Sequence, residues 1–318
     1  MKALVFLLLS FITTKTFSQP KAIPVHDPVI IRQDGTYYIF ATGKGIKVWS
    51  SKDLKSWKPE MSVFNTPPEW ATTAVLGFKD NIWAPDISFY KGAYYLYYSV
   101  STFGKNNSAI GLATNKTLNS NDPNYHWVDH GEVIKSVSGR DNWNAIDPNF
   151  TVDKKGKPWL AFGSFWGGLK LVRLSDDGFK ISTPPALVPL ASRNESGKAP
   201  NPIEAPFMFR KGKWFYLFAS IDYCCKGPAS TYKIIVGRSK NFKGPYTDKE
   251  GTDLKNGGGS ILRKGDENWY GLGHNAVSSF DGTDYLIYHG YDSKDKGAPK
   301  LIINKLNWQK GWPVTEEI

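Results

Sequence analysis

Four ionisable residues precede turn glycines at nearly equal distances along the chain. They lie eight or nine positions before Gly35, Gly156, Gly212 and Gly282, in that order: Asp27, Asp147, Glu204 and His274. Carboxyl groups brought together raise one another's pKa, so such a grouping is costly unless the protein uses it. Two carboxyls beside one bond can act as general acid and general base, which is what glycoside hydrolysis requires.

Each of these residues opens one copy of a repeated hairpin, and a further copy opens at Trp83, nine positions before Gly92. Every copy has an apolar strand, a turn with Asp-Gly or Lys-Gly, an aromatic-rich second strand and at least one further strand. The copies recur at intervals of about 55–70 residues, which fits sheets of three or four strands. Five such sheets predict an all-β fold, a five-bladed β-propeller, whereas a β-sandwich would not require five like hairpins.

A propeller would bring the opening residues of the five copies together. The first strand of each blade lines the central channel, so its first residues lie at one mouth of that channel. We therefore expect the active site at this mouth, although 247 positions separate Asp27 from His274. A third carboxyl could tune the pKa of the acid and hold its geometry. Aromatic side chains near the predicted strand ends could stack on sugar rings: Trp83, Phe103, Trp143, Phe165 and Trp166.

The sequence also resembles glycoside hydrolase family 43, and within it the arabinanases. Seven segments carry the resemblance, in the family's order and over nearly the whole chain after its N-terminus: 26–29, 82–86, 144–148, 163–168, 203–207, 222–227 and 273–275. The resemblance implies a five-bladed propeller and hydrolysis with inversion. It implies Asp27 as the general base, Glu204 as the general acid, and Asp147 as the carboxylate that orients the acid and modulates its pKa.

Further site residues follow from the resemblance. The implied substrate-binding residues, with Trp83 added from its place at the predicted mouth, are Trp83, Gly104, Asn144, Ala145, Ile146, Ser164, Phe165 and Trp166. The resemblance also implies calcium or another small ion in the central channel, mostly coordinated by water, with His274 beside it. The implied partners are arabinan and arabino-oligosaccharides.

Two modes of attack remain open for this scaffold. We expect endo cleavage of internal α-1,5-arabinofuranosidic bonds, and the alternative is an exo-acting α-L-arabinofuranosidase or β-xylosidase. Exo enzymes of this kind often carry a second β-sandwich domain that walls off the pocket. The chain stops at Ile318, soon after its fifth repeat, and this favours an open groove and endo action. A non-catalytic sugar-binding propeller would not need the three carboxyls.

The N-terminus predicts the compartment. Met1-Lys2 is followed by about ten apolar residues and then by small and polar ones up to Gln19, which is the pattern of a secretory signal peptide. We therefore expect a signal peptide at 1–19 and the catalytic propeller at 20–318, secreted or periplasmic and monomeric. No later segment approaches the roughly 18 apolar residues of a membrane-spanning helix, so no membrane span is expected.

The composition and the cysteines add two expectations. The chain has 40 Lys and Arg against 29 Asp and Glu, a net charge of +11, which permits an acidic polymer such as pectin as partner. The lysines are scattered over turns with no aromatic-basic stripe, so no nucleic acid is expected. The adjacent Cys224 and Cys225 could form a vicinal disulfide or stay as two free thiols.

Overall fold

The computed structural model describes residues 22–193 and 200–316. These residues form five antiparallel sheets, four of them four-stranded and one five-stranded. The sheets are the blades of a five-bladed β-propeller, which confirms the predicted fold class. The predicted signal peptide at 1–19 lies outside the described residues. Among the residues described, no helix is both long enough and apolar enough to cross a membrane.

The blades follow one another along the chain. Blade 1 contains β1 (Val29–Gln33), β2 (Thr36–Ala41), β4 (Lys47–Ser51) and β5 (Lys58–Pro59), while β3 (Gly43–Lys44) pairs with the next blade. Blade 2 contains β6 (Asn81–Tyr90), β7 (Ala93–Val100), β8 (Ser108–Asn115) and β9 (Val128–Ser136). Blade 3 contains β10 (Asn149–Val152), β11 (Pro158–Phe162), β12 (Leu169–Arg173) and β13 (Val188–Ala191).

The last two blades complete the ring. Blade 4 contains β14 (Ile203–Lys211), β15 (Trp214–Ile221), β16 (Lys233–Ser239) and β17 (Ser260–Lys264). Blade 5 contains β18 (Trp269–Phe280), β19 (Thr283–Asp292), β20 (Ala298–Gln309) and β21 (Trp312–Thr315). The helices are short: α1 (Glu69–Ala74) and three 3₁₀ turns at Gly227–Ala229, Leu254–Asn256 and Ser293–Asp295.

The strand pattern follows from burial. All eight residues of β7 are buried, because a second strand packs against the neighbouring blades on both faces. The hairpin turn of blade 1 is made by Asp34 and Gly35, both with positive φ (48° and 70°), as a two-residue turn between twisted strands requires. The fourth strand of blade 1, β5, has only two residues, both exposed, so its sequence pattern is weak.

Within the described residues, the ring closes without a strand from residues 22–28. Residues 269–315 provide all four strands of blade 5. Arg32 of β1 instead donates to both carboxylate oxygens of Asp281, at 2.6 and 2.9 Å. Aromatic rings fill the spaces between blades, for example Tyr97 and Phe150, whose centroids are 5.6 Å apart. Most of the aromatic excess is therefore core.

Each blade opens with a residue in the left-handed conformation. These residues are Asp27 (φ 52°), Ala84 (φ 44°), Asp147 (φ 56°), Ala205 (φ 53°) and His274 (φ 51°). Trp83 and Glu204 therefore stand one position before the equivalent place rather than at it, which corrects the count from the turn glycines. The pairing register shifts just after Trp83, Glu204 and Gly273, so Trp83 and Glu204 stand at the place that Gly273, and not His274, holds in blade 5.

A repeated hydrogen bond fixes these left-handed residues. The backbone N–H of each donates to a side chain of the preceding blade: Ala84 to Thr42 Oγ1 (2.8 Å), Asp147 to Ser99 Oγ (3.0 Å), Ala205 to Asp147 Oδ2 (3.1 Å), His274 to Ser220 Oγ (2.8 Å) and Asp27 to His289 Nδ1 (3.1 Å). A left-handed conformation costs a residue with a Cβ roughly 1–2 kcal/mol, and these bonds help to offset that cost. They also tie each opening residue to the blade before it.

Candidate active site

Asp27 lies in a buried cage of hydrogen-bond donors. Its Oδ1 is 2.8 Å from His26 Nδ1 and 3.0 Å from His274 Nδ1, and its Oδ2 accepts a 2.5 Å bond from Thr42 Oγ1. Burial by itself would raise the pKa of Asp27, but the hydrogen bonds of His26 and His274 and the positive charge of His274 outweigh it and hold the pKa well below its usual range. Asp27 is therefore an ionised carboxylate, the state of a general base.

Glu204 has the opposite environment. Burial raises its pKa, although the nearby hydroxyl groups of Tyr232 and Ser164 and the charge of His274 oppose the rise. Ser164 Oγ donates to Glu204 Oε2 at 2.8 Å. The hydroxyl of Tyr232 is buried beside Glu204 and has no hydrogen-bond partner among the described residues. A raised pKa favours the protonated carboxyl, which is the form that a general acid needs.

Asp147 couples to Glu204 through space and through the backbone. Burial raises the pKa of Asp147, the negative charges of Glu204 and Asp27 add to the rise, and His274 opposes it. Its Oδ2 accepts the N–H of Ala205, the residue after Glu204. Two buried acids this closely coupled do not both ionise easily, so the pair keeps a proton between them.

His274 balances the three acids. Burial would lower its pKa, but Asp27, Asp147 and Glu204 raise it to about 9. An imidazolium at this position offsets the negative charge that three converging carboxyls would otherwise concentrate. The structure thus brings together the four ionisable residues that the sequence singled out.

The predicted sugar-binding residues lie around this group. Asn144, Ala145 and Ile146 are buried directly before Asp147, and Asn144 Oδ1 has no hydrogen-bond partner among the described residues. Ala145 N donates to Ser136 Oγ at 2.9 Å, which ties this segment to the last strand of blade 2. An unpartnered buried oxygen beside the acids is suited to a substrate hydroxyl or a bound water.

The remaining predicted contacts lie on the rim. Phe165 and Trp166 follow Ser164 in a left-handed turn, and Trp166 is 37% exposed. Trp83 is half-buried and pairs with Ser99 in blade 2. Gly104 lies in the exposed loop between β7 and β8, and no hydrogen bond of the described residues joins it to the acids. That loop is tied to the sugar-binding segment through Asn106, whose amide donates to the carbonyl of Trp143 at 3.1 Å.

Sequence reasoning missed the residues that hold Asp27. They are His26, Thr42, His289 and Tyr291, and Tyr232 was missed beside Glu204. A signal existed for two of them, because Thr42 and His289 each stand seven residues after a turn glycine, as Ser99 does. The ends of the second strands therefore repeat along the chain just as the starts of the first strands do. No comparable signal marks Tyr291 or Tyr232.

A closed circuit of hydrogen bonds begins and ends on Asp27. Its N–H donates to His289 Nδ1, so the proton of this neutral imidazole is on Nε2, 3.2 Å from the Tyr291 oxygen. Tyr291 also accepts the N–H of Cys225 at 2.7 Å. Its own proton is then free to go to His26 Nε2, 2.8 Å away, and His26 Nδ1–H returns to Asp27 Oδ1. Every donor in the circuit has an acceptor.

The cysteine pair lies at the edge of this circuit. Cys224 and Cys225 form a disulfide in the structure, which resolves the choice between a bridge and two thiols. The 3₁₀ turn at Gly227–Ala229 follows, and Lys226 lies over the ring of Tyr223, 4.3 Å from its centroid. The backbone N–H of Cys225 in this loop thus donates to Tyr291, the residue that orients His26.

The residues around His274 are compatible with a hydrated ion. Its Nδ1 faces Asp27, and Nε2 has no hydrogen-bond partner among the described residues. The buried amide of Asn275, next along the chain, has no partner for either of its polar atoms. Unpartnered buried polar atoms usually bind ordered water. One imidazole nitrogen is too few ligands for a cation held by protein alone, so any ion here would keep most of its water.

Several known proteins resemble this chain over most of its length. The sequence profile described as glycosyl hydrolases family 43 matches residues 22–313. The chain is 49% identical to an extracellular exo-α-(1→5)-L-arabinofuranosidase of Cellvibrio japonicus, over 93% of this chain and 88% of that protein. It is 45% identical to an extracellular endo-α-(1→5)-L-arabinanase of Bacillus subtilis, over 91% and 87% of the two chains.

A solved structure extends the likeness to three dimensions. The α-L-arabinanase of Cellvibrio cellulosa complexed with arabinohexaose superposes with a TM-score of 0.90 at 48% identity, over 93% of this chain and 96% of that one. The profile match covers nearly the whole described chain, and both relatives are well above 30% identical to it. These two findings establish the family. The chain belongs to glycosyl hydrolases family 43 and is a glycoside hydrolase.

Proposed function

We propose that the protein hydrolyses α-1,5-linked arabinan and arabino-oligosaccharides with inversion at the anomeric carbon. The observation that carries this proposal is the contrast between two carboxyls of one site: the surroundings of Asp27 lower its pKa, whereas those of Glu204 raise its pKa. When the environments of two titratable groups push their pKa values apart in this way, one group is suited to act as base and the other as acid. The relatives named as arabinan-cleaving enzymes support the substrate class.

The proposed reaction needs one water molecule. Asp27 removes a proton from water while the water oxygen attacks the anomeric carbon, and Glu204 donates its proton to the leaving glycosidic oxygen as that bond breaks. The products are a β-configured arabinose end and a free hydroxyl on the leaving sugar. Asp27 then carries a proton and Glu204 a negative charge, and exchange with solvent restores both. Asp147 keeps Glu204 protonated and in place.

The mode of attack is proposed as endo, with exo as the second candidate. The endo mode is supported by the relative from Bacillus subtilis, and the exo mode by the relative from Cellvibrio japonicus, at 45% and 49% identity. Product sizes at early times on debranched arabinan separate them. A ladder of oligosaccharides supports endo cleavage, whereas one short product from the first time point contradicts it. The same screen on xylan and nitrophenyl β-xyloside tests the β-xylosidase alternative.

The compartment, the oligomeric state and the ion belong to the same proposal. We expect a secreted monomer, in keeping with relatives named as extracellular. His274 Nε2 would be the one protein ligand of a hydrated calcium or similar ion if the imidazole keeps only its Nδ1 proton toward Asp27, and the charge of the ion would then replace that of the imidazolium beside the acids. Dialysis against a chelator should then lower the melting temperature, and calcium should restore it. An unchanged melting curve and unchanged activity after chelation would contradict an ion at His274.

A further inference from the structure

Six cations gather on the face of the propeller opposite the candidate active site. We call them the underside patch, and they are Lys154, Arg210, Lys213, Arg238, Lys240 and Lys243. Lys154 belongs to the β10–β11 turn, Arg210 and Lys213 flank the β14–β15 turn, and the other three lie at the end of β16 or just after it. These turns are at the far ends of strands whose starts form the mouth. Five of the six side chains are exposed, and Arg238 is half-buried.

Aromatic rings hold these cations together. Lys154 Nζ and Arg210 Cζ lie 5.4 and 5.8 Å from the centroid of Phe215. The ring of Trp214 has three cations within 6 Å: Arg238 at 4.3 Å, Lys240 at 5.6 Å and Lys213 at 5.8 Å. Lys243 lies 4.6 Å from the ring of Trp159. Such contacts order the side chains without neutralising their charge. The folded chain thus has the aromatic-basic surface that the sequence did not reveal.

The charge of the patch is not compensated. No cation of the patch forms an ion pair within residues 22–193 and 200–316, whereas neighbouring Lys157 and Lys211 pair with Asp176 and Asp284. Asp153 lies on the same turn as Lys154 but forms no ion pair with the patch. Asp153 accepts the N–H groups of Lys155 and Lys157 and the indole N–H of Trp159. A concentrated, ordered and unpaired positive surface attracts an extended polyanion.

We propose that the underside patch binds a carboxylated polysaccharide, a polyuronate chain, while the mouth on the other face stays free for its substrate. The inference rests on the proposed function, since arabinan is a neutral branch that plant cell walls attach to an acidic polyuronate backbone. A surface that holds the backbone raises the local concentration of branches at the mouth. Lysines and an arginine over flat rings suit carboxylates spaced along a stiff chain.

Binding to polygalacturonate at low salt tests the proposal directly. The patch variant replaces Lys154, Lys213, Lys240 and Lys243 by Ala. The matched control replaces four exposed lysines that form no ion pair and lie elsewhere: Lys55, Lys79, Lys116 and Lys264. Each variant lowers the net charge by the same four units. We expect the patch variant to bind about tenfold more weakly or worse, and to lose most of the salt dependence, because fewer counterions are released.

The readouts separate the possible failures. Equal weakening in both variants would mean that net charge alone attracts the polymer, and this would overturn the proposal. Equal affinity of the wild type for polygalacturonate and for duplex DNA at the same salt would also overturn it, in favour of a general polyanion surface. Binding is measured without turnover, so a wild type that bound polygalacturonate but did not cleave arabino-oligosaccharides would contradict the proposed function and leave the patch intact.

Discussion

The N–H of Ala205 donates to Asp147 Oδ2 across 3.1 Å, so a carboxyl of blade 3 anchors the backbone directly after Glu204 of blade 4. Asp147 can therefore act on Glu204 in two ways, by its charge and by its hydrogen bond. Asn at this position keeps an oxygen that can accept the N–H but removes the charge. Ala removes both.

Asp147→Asn should move the alkaline limb of the pH profile to lower pH. Removing a neighbouring negative charge makes Glu204 easier to ionise, so the acid loses its proton earlier as pH rises. Activity at neutral pH should fall about 10²-fold, within the range of acid catalysis. The measurement is kcat/KM against pH on an arabino-oligosaccharide.

Asp147→Ala should be worse than Asp147→Asn, because Glu204 then also loses its backbone anchor. Circular dichroism must show both variants folded. An alkaline limb that stays in place in Asp147→Asn would contradict the proposed modulation of the pKa.

Glu204→Gln and Asp27→Asn should respond differently to the leaving group. A dinitrophenolate leaves without protonation, so an acid variant should recover most of its activity on dinitrophenyl α-L-arabinofuranoside while losing about 10²–10⁴-fold on arabinan. A base variant cannot activate water and should stay inactive on both substrates. Comparison of kcat on the two substrates checks this, and recovery by Asp27→Asn rather than Glu204→Gln would reverse the two roles.

The sequence was sufficient for the ring of blades but not for the details of the mouth. Hairpin turns such as Asp34-Gly35 have strong local chemistry, so the first two strands of each blade could be predicted. Short, exposed fourth strands such as β5 carry almost no pattern. The one-residue offset of Glu204 is visible only in the strand pairing, where Glu204 stands at the place of Gly273 in blade 5, and the spacing to the turn glycine does not show it.

The cage around Asp27 could not be predicted for a related reason. Tyr291 reaches His26 from 265 positions away, and only the closing of the ring brings blade 5 beside blade 1. The underside patch is similar, because Lys154 and Lys240 share a surface only after blades 3 and 4 pack together. Lysines scattered in sequence therefore formed a cluster that their spacing did not show.

Tyr291→Phe should raise the pKa of the general base, although Tyr291 itself does not contact the substrate in the proposed reaction. The phenol oxygen receives the N–H groups of Cys225 and His289 and orients His26, which in turn donates to Asp27. Without that oxygen His26 is less firmly held, its lowering effect on the pKa of Asp27 diminishes, and the acidic limb of kcat/KM should move to higher pH.

Tyr288→Phe is the matched control for Tyr291. Tyr288 is a buried tyrosine of the same strand, and its hydroxyl bonds Asn304 at 2.6 Å, away from the acids. Each variant removes a buried hydroxyl and should lose roughly 1 kcal/mol of stability or somewhat more. Only Tyr291→Phe should shift the acidic limb. Equal pH profiles in the two variants would show that Tyr291 is merely structural.

The buried carboxyl of Asp86 should make the stability of the folded protein depend on pH. This carboxyl is buried between blades 2 and 3 and accepts the N–H of Phe150 at 2.7 Å and the amide of Asn149 at 3.2 Å. Burial outweighs both bonds and raises its pKa to about 7. The folded protein therefore holds this proton more tightly than the unfolded chain, so the stabilisation is complete below about pH 4 and is lost as pH rises to about 7.

Asp86→Asn should remove this part of the pH dependence. The amide does not ionise, so between pH 5 and pH 8 the melting-temperature advantage of the wild type over Asp86→Asn should be largest at pH 5 and should shrink or reverse by about pH 8. Asp153→Asn is the opposite control. Backbone and side-chain donors overcome a smaller burial effect and lower the pKa of Asp153, so this carboxyl is already ionised throughout this range. The difference in melting temperature between the wild type and Asp153→Asn should therefore stay constant. A constant difference in melting temperature between the wild type and Asp86→Asn would mean that the buried carboxyl keeps one protonation state from pH 5 to pH 8. That result would contradict the expected effect of its desolvated position between the blades.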